Sequence, residues 1–199
     1  MYYNIYINSK IIMENNQKLE ELKQILGNDG VIIMPTDTIW WISCLANSEI
    51  AIDKINQIKK RDESKTMIIL MTKEIFAKYI SYDYKFDFEY PTTVIYDQKY
   101  CTDYFLDNVC NKIIRNDWTI AIRIVNDIDI SQTINYLQKP IVSTSANISW
   151  EPWAISFGDI KQEVIDQVDH IYQINWRKPK TKPSNIVKIE WDQIIYIRK

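Results

Sequence analysis

The chain has 199 residues, 46% of them hydrophobic and 25% charged, with a formal net charge of −2; those proportions fit one globular domain, 1–199, with a sizeable core. The charge excludes a whole-molecule field that gathers nucleic acid, so an anion site must be a local cluster of basic residues. No apolar run approaches the roughly 20 residues of a membrane span, and the first residues lack the basic-then-apolar pattern of a secretory signal.

Tyr3, Ile5 and Ile7 alternate with polar neighbours and predict a short strand. Leu19, Leu22 and Leu26 have helical spacing, with Gly27 and Gly30 just beyond. Val31 to Met34 predict a buried strand stopped by Pro35, followed by the polar turn Thr36-Asp37-Thr38. Asn47 and Ser48 can cap a helix reaching about Arg61, with Ile52, Ile55 and Ile58 on its buried face. Residues 67–71, 93–96, 120–124 and 141–143 predict strands. Residues 73–80, 131–138 and 158–167 predict helices, and 186–190 with 194–198 a terminal hairpin. The stretch 97–116 has no clear period. Alternating strands and helices predict an α/β fold with a mixed sheet.

One histidine, His170, argues against His-dependent triads and His-rich metal sites. Cys44, Cys101 and Cys110 are odd in number and fit no metal spacing, which points to reduced thiols in a cytoplasmic protein. No Walker A loop or Gly-rich dinucleotide fingerprint is present, so phosphate binding would rest on Arg, Lys, hydroxyls and loop amides.

Two polar segments follow buried strands, where open α/β sheets place ligands: Met34-Pro35-Thr36-Asp37-Thr38 and Ser143-Thr144-Ser145-Ala146-Asn147-Ile148-Ser149. Taken alone, each reads equally well as turn chemistry. Lys59-Lys60-Arg61 with Lys65 ends a helix, where cations also complement the dipole. Thr119 and Arg123 share one face of a strand, and Lys182-Pro183-Ser184-Asn185 precedes another.

In this order the segments resemble the YrdC/Sua5 family of threonylcarbamoyl-AMP synthases. VIIMPTDTIWWISC resembles its strand and Pro-Thr-Asp-Thr loop, INQIKKRDESK its Lys-x-Arg helix end, and PTTVIY its Pro-x-Thr-x-Val strand. TIAIRI, STSANIS and KPSNIVKI are similar to its Thr…Arg strand, Ser-x-Asn signature and Ser-Thr-Ile-Val segment, with Asn185 for the usual threonine. The resemblance spans about 31–198 and implies a twisted mixed sheet with flanking helices around a concave basic cavity. It implies the short form, without the Sua5 C-terminal extension. The implied reaction joins L-threonine, bicarbonate and ATP, with Mg2+ on the phosphates, to give threonylcarbamoyl-AMP and pyrophosphate. A downstream tRNA threonylcarbamoyl-transferase complex would then modify adenosine 37 of tRNA; contact with tRNA itself is not implied by the charge.

Carried over position by position, Lys59, Arg61, Ser145 and Asn147 would be the catalytic set. Arg61, Lys65, Thr119, Ser145 and Arg198 would bind ATP, and Thr36, Thr38, Arg123, Ser143 and Ser184 threonine. The resemblance implies no metal ligand among the side chains. Leu70 stands where the family usually has a histidine, which puts one threonine contact in question. A non-catalytic relative binding nucleotide or RNA is the alternative; such relatives tend to lack the Lys-x-Arg and Ser-x-Asn pairs kept here. A carbamoyl-transfer domain of hydrogenase maturation proteins is a further one, but its accompanying zinc-finger CxxC pairs are missing.

Three glycines stand beside seven tryptophans, where roughly fourteen glycines are ordinary. Trp41 and Trp150 occupy positions where the resemblance calls for glycine. Trp118 and Trp176 follow Asp117 and Asn175, where Asp-Gly or Asn-Gly makes the usual turn, and Trp191 precedes Asp192, where Gly-Asp would make a tight hairpin. Several of these five positions read as glycine codons (UGA in some bacteria) translated as tryptophan, with real drift of the sequence as the alternative. As written, each tryptophan at positive φ would cost about 1–3 kcal/mol.

Overall fold

The structure, a computed structural model, describes residues 2–61, 67–82, 88–172, 182–190 and 193–199, with side chains from residue 15 onward. Among the described residues nine strands form one mixed sheet: β1 (Ile32–Pro35), β2 (Trp40–Leu45), β3 (Ile68–Met71), β4 (Thr92–Asp97), β5 (Thr119–Ile124), β6 (Ile141–Ser145), β7 (His170–Ile171), β8 (Asn185–Glu190) and β9 (Gln193–Arg198). Their order is β7-β1-β2-β6-β3-β5-β4-β8-β9. The β1–β7, β3–β5 and β4–β8 pairs are parallel and the rest antiparallel. The helices are α1 (Tyr2–Gly27), α2 (Glu49–Ile58), α3 (Lys73–Tyr79), α4 (Asp103–Asn108), α5 (Ile128–Leu137) and the single turn α6 (Gln162–Ile165). The α/β class, mixed sheet and flanking helices expected from sequence are all present.

Helix α2 shows how local chemistry aims the site. The Ser48 hydroxyl accepts from the Ala51 amide at 3.0 Å and opens the helix. Ala51, Ile52, Ile55 and Ile58 then bury one face; each isoleucine is worth about 1.5–3 kcal/mol. The end is a Schellman turn: Arg61 N–H donates to Asn56 at 2.9 Å and Lys60 N–H to Gln57 at 3.0 Å, with Lys60 left-handed at φ 48. The helix therefore stops before Arg61, and the reversal delivers Lys59 and Arg61 to the sheet.

Several expectations need correction. Residues 2–27 form one continuous helix, where a strand was expected at 3–7. No glycine or proline interrupts residues 2–26, so helical hydrogen bonding runs through the short alternating stretch. Strand β2 was not foreseen: it is buried at all six positions and carries no period-2 signal. The helix expected over 158–167 is a 3-10 turn, Phe157–Asp159, followed by α6. The unreadable stretch 97–116 holds α4 between two 3-10 turns. The turn at Trp191 and the segment around Trp176 lie outside the described residues.

Glycine 30 is where close approach demands that residue. A Cβ there would sit 2.4 Å from the Ile25 carbonyl oxygen, to which its own N–H donates.

Candidate functional site

A cavity of about 920 Å³ opens on the sheet. Ile68, Ile95, Ala121 and Ile186, from β3, β4, β5 and β8, give it apolar lining; Ser143, Thr144, Ser145, Asn147, Ser149 and Glu151 supply polar wall. Lys59, Arg61, Arg115 and Arg198 line it, with Glu151 the one carboxylate among the described lining residues. The basic concavity expected from sequence is there.

The helix end and the loop after β6 are bonded to each other. Lys59 is 3% exposed, and its ammonium donates to the Ser145 carbonyl, to the Asn147 carbonyl at 2.6 Å and to Asn147 Oδ1 at 3.4 Å. Ser149 N–H returns a bond to the Lys59 carbonyl at 2.9 Å. Asn147 Nδ2 donates to the Glu151 carbonyl at 2.7 Å. The lysine of one motif thus holds the loop of the other. Arg61 Nη1 donates to the Thr144 hydroxyl at 2.7 Å. Burial pushes the Arg61 guanidinium down to about 10, so it stays charged at neutral pH with little water around it. Such a group attracts an anion strongly.

Arg198, on β9, donates to the Ser184 carbonyl from Nη2 at 2.7 Å and from Nε at 3.1 Å. Ser184 Oγ lies 2.9 Å from Thr93 Oγ1. Arg198, too, is lowered by burial.

Arg123 on β5 behaves differently. It is fully buried, its Nη2 bonded to Asp37 and its Nη1 donating to Thr38 Oγ1 at 3.2 Å. Burial lowers its pKa while the Asp37 carboxylate pulls it back up. Thr36, Thr38, Arg123 and Ser184 do not line the cavity; Ser143 does, with its Oγ 2.6 Å from that of Ser43. Trp41 lines the cavity, and the Arg123 guanidinium lies against its ring.

Of the sequence-derived residues, the structure therefore brings Lys59, Arg61, Ser143, Ser145, Asn147 and Arg198 to one cavity. Thr119 is not in its lining; its hydroxyl donates to Asp117 at 2.6 Å and lowers that carboxyl. Lys65 lies outside the described residues. Ser43, Thr144 and Arg115 were not singled out. Ser43 and Ser143 are register partners of β2 and β6, a relation that only the unforeseen strand creates.

Two tryptophans hold left-handed backbone: Trp118 at φ 58 and Trp150 at φ 75. Glu151 N–H donates to the Ile148 carbonyl at 3.1 Å, which places Trp150 third in a four-residue turn. Positive φ at that place is what glycine normally supplies.

Comparison with known proteins adds the following. A family model named Sua5/YciO/YrdC, described as "Telomere recombination", matches residues 24–199. A putative threonylcarbamoyl-AMP synthase of Methanocaldococcus jannaschii is 32% identical over 94% of this chain and 87% of its own. Among solved structures, E. coli YciO aligns with a TM-score of 0.74 at 19% identity, over 91% of this chain and 88% of its own. P. abyssi Sua5 complexed with L-threonine aligns with a TM-score of 0.72 at 17% identity over 90% of this chain. The chain spans about half the length of that Sua5, 53%. At such identities the structural matches speak for the fold.

Proposed function

The chain belongs to the Sua5/YciO/YrdC family, and from that premise we propose that it is an L-threonylcarbamoyl-AMP synthase, a nucleotidyltransferase. It takes L-threonine, bicarbonate and ATP and releases threonylcarbamoyl-AMP and pyrophosphate, for the threonylcarbamoyl modification of tRNA. The observation that carries this reading is the bonding of Lys59 to Ser145 and Asn147, which sets Arg61 and the polar loop on one cavity wall.

In this reading the threonine amine and bicarbonate give a carbamate and water. A carbamate oxygen attacks the α-phosphorus, and the bond to the β-phosphate oxygen breaks to release pyrophosphate. No covalent enzyme nucleophile is needed. Three anions must be held together, which is the task of Arg61 and Arg198, with Lys65 assigned on sequence alone. Proximity of this kind is worth roughly 7–11 kcal/mol of barrier, and cations fixed at the α-phosphate stabilise the charge that develops there. Ser145 and Asn147 position the phosphates; Thr36, Thr38, Arg123, Ser143 and Ser184 make the amino-acid subsite. Mg2+ is assigned to the phosphates and enters with ATP. The product passes to a tRNA threonylcarbamoyl-transferase complex.

Pyrophosphate release with ATP, magnesium, bicarbonate and L-threonine tests the reading, on the protein and on W41G. Release that needs both threonine and bicarbonate, from either protein, is the expected result. Folded proteins that bind ATP but show no such release would return the chain to the nucleotide-binding alternative.

A further inference from the structure

Trp41 lies within β2, 2% exposed, and faces the cavity with Arg123 behind it. Its indole N–H donates to Thr38 Oγ1 at 3.2 Å, and the Arg123 guanidinium carbon lies 5.3 Å from its ring, within cation–π range. The hydroxyls there are saturated. Thr36 Oγ1 donates to the Ile39 carbonyl at 2.8 Å. The 2.9 Å contact between Thr36 and Thr38 hydroxyls must then use the Thr38 proton. Thr38 Oγ1 accepts from Trp41 and from Arg123 Nη1, which fills its two lone pairs. One polar atom is left over. Nε of the fully buried Arg123 has no hydrogen-bond partner, although buried donors are nearly always paired.

An orphaned guanidinium N–H suits a carboxylate, and an indole is bulky enough to fill the room that a small amino acid needs. Resting on the synthase reading, we propose that Trp41 is a plug in the amino-acid subsite: threonine reaches Arg123 only when the indole leaves, so residue 41 sets the affinity for the amino acid. Departure of the indole releases one acceptor site on Thr38 and one face of the guanidinium, the two groups a threonine carboxylate and hydroxyl can use. Arg61 and Arg198, on the cavity wall, do not depend on that movement.

Calorimetric titration tests this, with L-threonine added to the protein and to W41G, each saturated with ATP in bicarbonate-free buffer. W41G is expected to bind threonine at least tenfold more tightly. Equal threonine affinity in the two proteins overturns the plug and leaves the synthase reading standing. ATP binding by both, with threonine binding by neither, overturns plug and synthase reading together. Because W41G empties a buried position and can unfold the sheet, the unaltered protein supplies a second measurement. The Trp41 indole N–H resonance should exchange slowly with water in the threonine-free state, and shift and exchange faster at threonine saturation. A resonance unchanged at saturation overturns the proposal.

Discussion

The site carries two similar side chains in opposite states, one open to the cavity and one closed off from it. At one end Arg61 lies on the wall, half-buried, beside the hydroxyl of Thr144. At the other, Arg123 is 0% exposed and tied to Asp37 and Thr38 behind an indole. Both guanidiniums are desolvated, yet only one can meet an anion as the structure stands. The difference does not lie in the arginines. It lies in what each of them meets: Arg61 lines the cavity directly, whereas Arg123 is outside its lining and packs against the Trp41 ring.

The sharpest way to break this contrast is Arg123→Met. At the closed end it strands the Asp37 carboxylate and the Thr38 lone pair, and breaking such a pair costs about 3–5 kcal/mol when fully buried. Asp37 is partly exposed, so a loss of about 3 kcal/mol in chemical denaturation is expected. Arg61→Ala should act on ligand more than on fold. Loss of a charge-assisted bond worth about 1.5–3 kcal/mol weakens ATP binding roughly tenfold to a hundredfold, read by calorimetry.

The open end also has a pH signature. Arg61 is depressed to about 10, so at lower pH it is charged before and after an anion arrives, and its contribution to ATP affinity is level from pH 7 to 9. Above about 10 the ligand-free guanidinium loses its proton, binding must restore it, and affinity falls by up to tenfold per pH unit. A level profile through pH 11 would detach the phosphates from Arg61.

Trp150→Gly should stabilise. The side chain is 87% exposed and its backbone sits at φ 75, so relief of about 1 kcal/mol raises the melting temperature by about 2–4 °C. The smallest effect concerns Cys44, whose thiol burial pushes far above the ordinary range. Thiol reagents at pH 8 should label Cys101 and Cys110 first and leave Cys44 for the unfolded chain.

The sequence made the open end readable and the closed end only half so. Lys59, Arg61, Ser145 and Asn147 sit in short motifs whose spacing survives translation into space, because a helix end and a strand end each deliver neighbours together. Arg123 and Thr38 were named as well, but their seclusion depends on β2, a strand with no alternation to announce it. The 97–116 stretch stayed opaque because its turns are too short to carry a period. Conversely, the shortage of glycine anticipated backbone that the structure shows. Trp118 and Trp150 hold positive φ, whereas Trp41 sits in regular strand, where glycine would serve space rather than conformation. Glycine at these positions in the native host is a separate reading, under which the host's protein has no plug at 41 and the plug belongs to the chain with tryptophan as written; intact mass of the protein from that host tests it, and a mass that requires all seven tryptophans would remove it.

In the ladder between β2 and β6, Trp41 stands directly opposite Ser145. One rung of the sheet therefore borders both the proposed amino-acid subsite and the proposed nucleotide loop. Whatever free energy one substrate gains from the other at that rung must be returned in equal measure. Any coupling across that rung is therefore symmetric: the factor by which threonine changes the affinity for ATP equals the factor by which ATP changes the affinity for threonine.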